Sequence, residues 1–335
     1  YNFKYFNGLM KKDKINKILI VGKGEIAKRH YKILKKLIPN AKIKFLIRKR
    51  KNKIFSSQYL YSLDEVKKFM PELGVIANPS SKHIKISEKL IDLDIKYLFI
   101  EKPISNYFDN AKKFVSKCNK KNINLFVGYN LKFTNSLIKI KKLIDNKILK
   151  NIFLVTIETG FNLKNWRKKK NYIDSVSSQK KLGGGVLLEL SHEIDYLHWL
   201  FGKFEKIDAY FSKLSLLKLD VEDFVNLRVF FNKKFSKKKL FATLNIDFFR
   251  NDKVRKMTII SEKETLKWDG IKGEVKIYNE ETKKWKYLYK NYNDLNESYI
   301  RQWKYFLECI KKNFKNSSSK ESLDTIRYIN SIKKQ

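Results

Sequence analysis

Lys17-Ile18-Leu19-Ile20-Val21-Gly22-Lys23-Gly24-Glu25-Ile26-Ala27 decides the fold. An aliphatic run breaks at a glycine, and helical periodicity starts at once and continues to about Leu37. In such a strand–turn–helix, Gly22 permits the tight turn and Gly24 lets a pyrophosphate approach the backbone. Ala27 is small enough for helix and strand to pack closely, and the helix N-terminus, with Glu25 and Ile26 in its first turn, faces the phosphates.

The pattern repeats outward from this stretch. Strands are expected over 41–47, 73–77, 97–100 and 124–127, the last closing at Gly128. Helices are expected over 65–70, from about 81 to 91, and over 108–120, with Asp64 and then Ser80 or Ser81 as N-caps. Strands separated by helices of this length predict a right-handed, mostly parallel sheet covered on both faces. The rest of the chain differs. Helices are expected over 133–148 and 186–201, and a strand over 151–160. Strands follow over 204–214, 225–231, 240–249, 257–261 and 275–278, then helices over 298–311 and 320–332. Successive strands joined by turns predict a largely antiparallel open sheet. The expected fold class is an α/β Rossmann-type domain over 1–130, then an α+β domain over 131–335 for substrate binding and oligomerisation. The C-terminal helices are able to pack back on the first domain.

At 335 residues with 43% hydrophobic composition, two full cores are attainable. Two distant cysteines exclude a disulfide framework, and a cytoplasmic setting is expected. Residues 1–16 mix lysines with aromatics and carry no apolar stretch or small-residue cleavage site, so no leader is expected. No apolar run approaches the ~20 residues that span a bilayer, so no membrane insertion is expected. The charge is unusual: Lys+Arg 74 against Asp+Glu 34 gives +40. Lysine is abundant along the whole chain beside Asn, Ile, Phe and Tyr, as AT-rich coding produces. A specific nucleic-acid partner would need clustered basics interleaved with aromatics on one face; here the densest runs, at 48–51, 167–170 and 237–239, are scattered. A diffuse positive field still attracts anionic substrates such as nucleotide sugars.

The end of the second strand reads the adenosine ribose. An acid there accepts from the ribose hydroxyls, whereas an arginine accommodates a 2′-phosphate. Arg48 stands at that point, which leans the choice between NAD and NADP toward NADP. Asn78-Pro79 and Glu101-Lys102-Pro103 each follow a buried strand, where ligands bind in open α/β sheets. Pro103 fixes the turn that aims Lys102. Gly183-Gly184-Gly185 feeds a helix on which Glu189 and His192 fall near one face at ~100° per residue. A histidine with a carboxylate one turn away suits a general base and its orienter. His30 reads as a packed helix residue. His198 lies roughly 240° round from His192, so the two cannot chelate together, and no metal is expected.

These blocks, in this order and with Gly128-Tyr129-Asn130, resemble the glucose-fructose oxidoreductase / inositol dehydrogenase (Gfo/Idh/MocA) family. The resemblance implies an NAD(P)-dependent dehydrogenase or reductase acting on a sugar, polyol or nucleotide sugar, with surface-glycan biosynthesis as one setting. It also implies a homo-oligomer, dimer or tetramer. It makes Lys102 the group that hydrogen-bonds the reacting hydroxyl and His192 the general acid/base, and puts Glu189 where the family has an aspartate. Lys132 stands where members often have arginine. The candidate cofactor contacts are Gly22, Gly24, Glu25, Ile26, Ala27, Arg48, Asn78, Pro79, Glu101 and Lys102. The candidate substrate contacts are Lys102, Tyr129, Asn130, Trp166, Arg167 and His192. The rival from another class is a non-catalytic dinucleotide-binding sensor or scaffold of the same fold, against which the presence of both Lys102 and His192 argues.

Overall fold

A computed structural model describes residues 15–47, 57–166, 171–231 and 240–335. Strand β1 (Lys17–Val21) leads into α1 (Glu25–Leu37), followed by β2 (Lys42–Leu46), β3 (Tyr59–Leu60), α2 (Leu63–Phe69) and β4 (Leu73–Ile76). Then come α3 (His83–Ile91), β5 (Tyr97–Glu101), α4 (Phe108–Lys120) and β6 (Asn124–Gly128). These strands pair in parallel in the order β3-β2-β1-β4-β5-β6. The order reverses between β1 and β4, which opens a crevice beyond their carboxyl ends. Side chains alternate along β1: Ile18 and Ile20 join one core, with α1, and Leu19 and Val21 join another, with α4. Burial on both faces is why β1, β4 and β5 read as nearly unbroken apolar runs.

Two caps differ from expectation. Ser62, not Asp64, caps α2, its Oγ accepting from the Glu65 N–H at 3.2 Å. Ser80 caps nothing; a 3-10 turn over Ser80–Lys82 precedes α3, and the Ser80 hydroxyl donates to Asn106 at 2.8 Å instead.

The second half begins with α5 (Asn135–Asp145), capped by Thr134, then β7 (Leu154–Gly160) and α6 (Leu163–Trp166). The expected helix over 186–201 is two pieces, α7 (Val186–Glu189) and α8 (His192–Phe201). Strands β8 (Phe204–Ser212), β9 (Phe224–Phe231), β10 (Phe241–Asp247), β11 (Val254–Ile260), β12 (Glu264–Asp269), β13 (Glu274–Asn279) and β14 (Lys284–Lys290) follow. With β7 they form a sheet ordered β14-β13-β12-β11-β7-β10-β9-β8, antiparallel except where β10 lies parallel to β7. Of its strands, β12 and β14 escaped the sequence reading.

The chain then returns to the first sheet. Helix α9 (Asp294–Lys311) lies beside α1, and Trp303 stacks on Phe99 of β5 at 4.3 Å between ring centres. Helix α10 (Ser318–Ile332) packs on β6 and α4, and the Ser318 hydroxyl accepts from the Val127 N–H at 3.0 Å. Among the described residues, no helix is long and apolar enough to cross a membrane.

Candidate active site

The crevice at the β1/β4 reversal is shaped first by backbone. Gly22 adopts φ +103°, and a Cβ there would lie 2.8 Å from the Ala77 carbonyl oxygen, so only glycine brings the two turns together. Gly24 is the N-cap of α1, and a Cβ on it would meet nothing within 4 Å. Among the described residues the space around a Cβ at this turn is therefore open, and the N–H groups of a helix's first turn find no acceptor within the helix itself. Ala27 is fully buried against the sheet. Across the crevice, Asn78 has a buried side-chain oxygen with no hydrogen-bond partner among the described residues. An open helix N-terminus beside an unsatisfied amide oxygen fits a dinucleotide, whose phosphates accept from N–H groups and whose hydroxyls donate. Arg48 and Arg167 lie outside the described residues.

The turn after β5 carries Lys102, whose amine donates to the Glu189 carbonyl oxygen at 2.5 Å. The Glu189 carboxylate is 4.0 Å from the same nitrogen. Glu189 is thus partnered with Lys102 and not with His192. The cause is the break at Leu190 and Ser191, which removes the continuous helix that would set the two residues one turn apart. Glu101 is held by contacts within the protein. One carboxylate oxygen sits 2.7 Å from His30 Nε2 and the other accepts from the Lys102 N–H at 3.2 Å. The Trp303 indole N–H donates to His30 Nδ1 at 2.9 Å, so His30 is a neutral ring whose Nε2–H donates to Glu101. Glu101 braces the lysine turn against α1 and α9.

His192 opens α8 with its imidazole edge-on to Tyr129, 5.5 Å between ring centres. Its Nδ1 is buried with no hydrogen-bond partner among the described residues. Burial drives its pKa well below the usual histidine value of 6.5, and the charges of Lys102, Arg255 and Lys132 push the same way. Tyr129 lies behind it, its hydroxyl donating to Ser191 Oγ at 3.2 Å, and burial pushes that phenol far up. Asn130, expected to touch substrate, is buried and donates to Ser298 Oγ at 2.8 Å, which ties it to α9 and away from the crevice. Trp166 is 38% exposed and stacks on Phe161 at 5.6 Å.

Two charged clusters around the histidine were not expected. Arg255 of β11 donates to the fully buried Glu193 at 2.9 Å and lies 5.3 Å from the Phe161 ring centre. Lys132 is buried between Asp195 at 3.1 Å and Glu321 at 2.5 Å. Burial raises the Asp195 carboxyl to about 6, although Lys132 pulls it down. Arg255 comes from a strand 62 residues after Glu193, and Glu321 lies 189 residues from Lys132, so no local pattern announces either pair.

A parallel dinucleotide sheet joined to a mostly antiparallel one, with a lysine turn and a buried histidine where they meet, defines a class of two-sheet nicotinamide oxidoreductases. The chain belongs to the Gfo/Idh/MocA family: the model "Oxidoreductase family, NAD-binding Rossmann fold" matches residues 16–129, and "Oxidoreductase family, C-terminal alpha/beta domain" matches 141–330. Among curated relatives, an uncharacterised oxidoreductase of Synechocystis is 25% identical over 162 residues, 47% of this chain and 43% of that protein. The uncharacterised oxidoreductase YrbE of Bacillus subtilis is 24% identical over 207 residues, 59% of this chain and 57% of that one. The chain therefore spans about half the length of these relatives. The WlbA dehydrogenase of Bordetella pertussis, solved with NADH and UDP-GlcNAcA, superposes with a TM-score of 0.79 at 18% identity, covering 97% of this chain and 96% of its own. Levoglucosan dehydrogenase, solved with NADH, gives 0.80 at 16%, covering 95% and 96%. At these identities the likeness is one of fold.

Proposed function

We propose that the protein is an NAD(P)-dependent dehydrogenase or reductase acting on a hydroxyl-bearing carbon, or the matching ketone, of a sugar, polyol or nucleotide sugar. Residues up to about 130 would hold the dinucleotide and those beyond it the substrate. The observation that carries the reading is His192: a buried imidazole driven toward its neutral form with the Lys102 cation acting on it. A neutral histidine accepts a proton, and a cation stabilises the negative charge that develops on the oxygen losing it.

The glycine turn, the first-turn N–H groups of α1 and the Asn78 side chain would bind the cofactor, which supplies a hydride acceptor or donor. Lys102 holds the reacting oxygen, its amine kept in place by the Glu189 carbonyl and carboxylate. His192 takes the hydroxyl proton in the oxidative direction and returns it in the reductive one. Trp166, stacked on Phe161, would form the wall against which a sugar ring packs. That two solved structures of this fold carry NADH supports the cofactor class, and that one also carries UDP-GlcNAcA supports the substrate class. Arg48, next in sequence after Ile47, supports NADP over NAD.

The test is calorimetry with NADH and NADPH, then nicotinamide absorbance with a panel of nucleotide sugars, free sugars and polyols. Binding of a dinucleotide and turnover of one panel member are expected. Failure to bind either dinucleotide ends the proposal.

A further inference from the structure

Two turns border the reactive end of the crevice, one carrying Asn78 after β4 and one carrying Lys102 after β5. His83 ties them together. It is the first residue of α3 and 1% exposed. Its Nε2 lies 2.8 Å from the Asn78 carbonyl oxygen and its Nδ1 lies 2.9 Å from the Pro103 carbonyl oxygen. The Ser87 hydroxyl donates to the His83 carbonyl at 2.7 Å and steadies the turn of helix that presents the ring.

Backbone carbonyls only accept, so each contact is a hydrogen bond when the ring nitrogen facing it carries a proton. The imidazolium makes both bonds and the neutral ring makes one. Burial lowers the pKa of the ring, while the two carbonyls and Glu101 work against burial, and Lys102 works with it. A carbonyl buried in a loop needs a donor. At these two turns a single ring lies within reach of both carbonyls and, when neutral, donates to one of them at a time. The tied carbonyls belong to Asn78 itself and to the residue directly after Lys102, so the ring sets the spacing of the two side chains that flank the crevice. An aliphatic or phenyl group would fill the same volume and set nothing.

We propose that His83 is a positioning residue, which fixes the Lys102 turn relative to the Asn78 turn and so places the Lys102 amine over the cofactor's reactive end. This rests on the reading of the crevice as a dinucleotide site. The ring sits behind the turns, touches no reacting atom under that reading, and acts through Lys102.

The test uses the full chain with His83→Phe, which keeps a planar ring and removes both donors, and His83→Gln, which returns one amide N–H. NADH affinity is read by nicotinamide fluorescence, and hydride transfer is followed with a substrate taken from the panel. His83→Phe is expected to lose tenfold or more in NADH affinity and in kcat with the sugar KM little changed, and His83→Gln to recover part of both. In the wild type, 15N-histidine labelling should show a His83 ring N–H protected from exchange, assigned through the ring to the residue's own backbone resonances. Equal affinity and rate in His83→Phe, or a ring proton exchanging as fast as an exposed one, overturns the proposal. The ring-proton result stands if neither variant folds. A wild type that binds neither NADH nor NADPH overturns the dinucleotide reading, a different failure from a wild type that binds one of them and a variant that binds it equally well.

Discussion

His192 and the glycines show how much one residue sets. The buried imidazole has a folded pKa below its ordinary value of 6.5. The sign follows: stability that depends on the neutral ring is present above 6.5 and is lost as pH falls toward the folded value. The same shift would put the proposed general base in its working form at neutral pH. Oxidative kcat/KM should therefore hold through neutrality and fall only on the acid side of 6.5; a pH–rate profile with its acid midpoint at or above 6.5 contradicts the assignment. His192→Ala should lose rate about 10²–10⁴-fold while NADH binding persists. The two glycines of the first turn should separate folding from binding. A Cβ at Gly24 meets no described atom within 4 Å, so Gly24→Val should melt near the wild type yet bind the dinucleotide at least tenfold more weakly, about 1.4 kcal/mol. Valine at Gly22 meets the Ala77 carbonyl and a left-handed φ, so that variant should lose melting temperature as well. Parallel calorimetry and thermal melts read both effects.

At the scale of elements, Lys132 joins three of them: the turn after β6, α8 through Asp195, and α10 through Glu321. Lys132→Met leaves two carboxylates facing each other, and breaking a buried pair of this kind costs about 3–5 kcal/mol. The Asp195 pKa, already raised to about 6 with the lysine present, would rise further without it. A raised carboxyl favours the folded state at low pH and disfavours it as pH climbs through that value. Urea midpoints of the variant should therefore lie closer to the wild type below about 6 than above it; an equal gap at both pH values counts against the account. These elements differ in how plainly they were written. The central parallel strands were legible because burial on both faces leaves mostly apolar residues. The Lys102 turn and His192 were legible because a short motif carries each. β14 reads Lys-Trp-Lys-Tyr-Leu-Tyr-Lys, with lysines on alternate positions of a sheet edge, and its polarity hides the strand. The break between α7 and α8 was hidden for the opposite reason, since apolar residues continue across it while the buried Ser191 and the conformation of Leu190 end the first helix. Arg255 and Glu193 meet only in the folded chain, as do Asn130 and Ser298.

Across the whole molecule, the last helices complete the first sheet. Trp303 contributes its ring to Phe99 and its N–H to His30. Trp303→Phe keeps the first and removes the second, leaving a buried acceptor unpaired, a loss of about 1–3 kcal/mol. Denaturant unfolding should show that loss, and an unchanged midpoint would mean that stacking alone holds α9 in place. The bond from Trp303 to His30 spans 273 residues. This return gives the protein an order of assembly as it leaves the ribosome. The β1–β6 segment is made first, yet one flank stays without Trp303 and Phe306, and β6 without Ser318, until synthesis has passed those positions. A nascent chain stalled before residue 294 would display the aromatic faces of Phe99 and Phe126 to chaperones, and the brace behind the Lys102 turn would lack its indole donor. Competence to hold a dinucleotide would then wait on the arrival of the final helices.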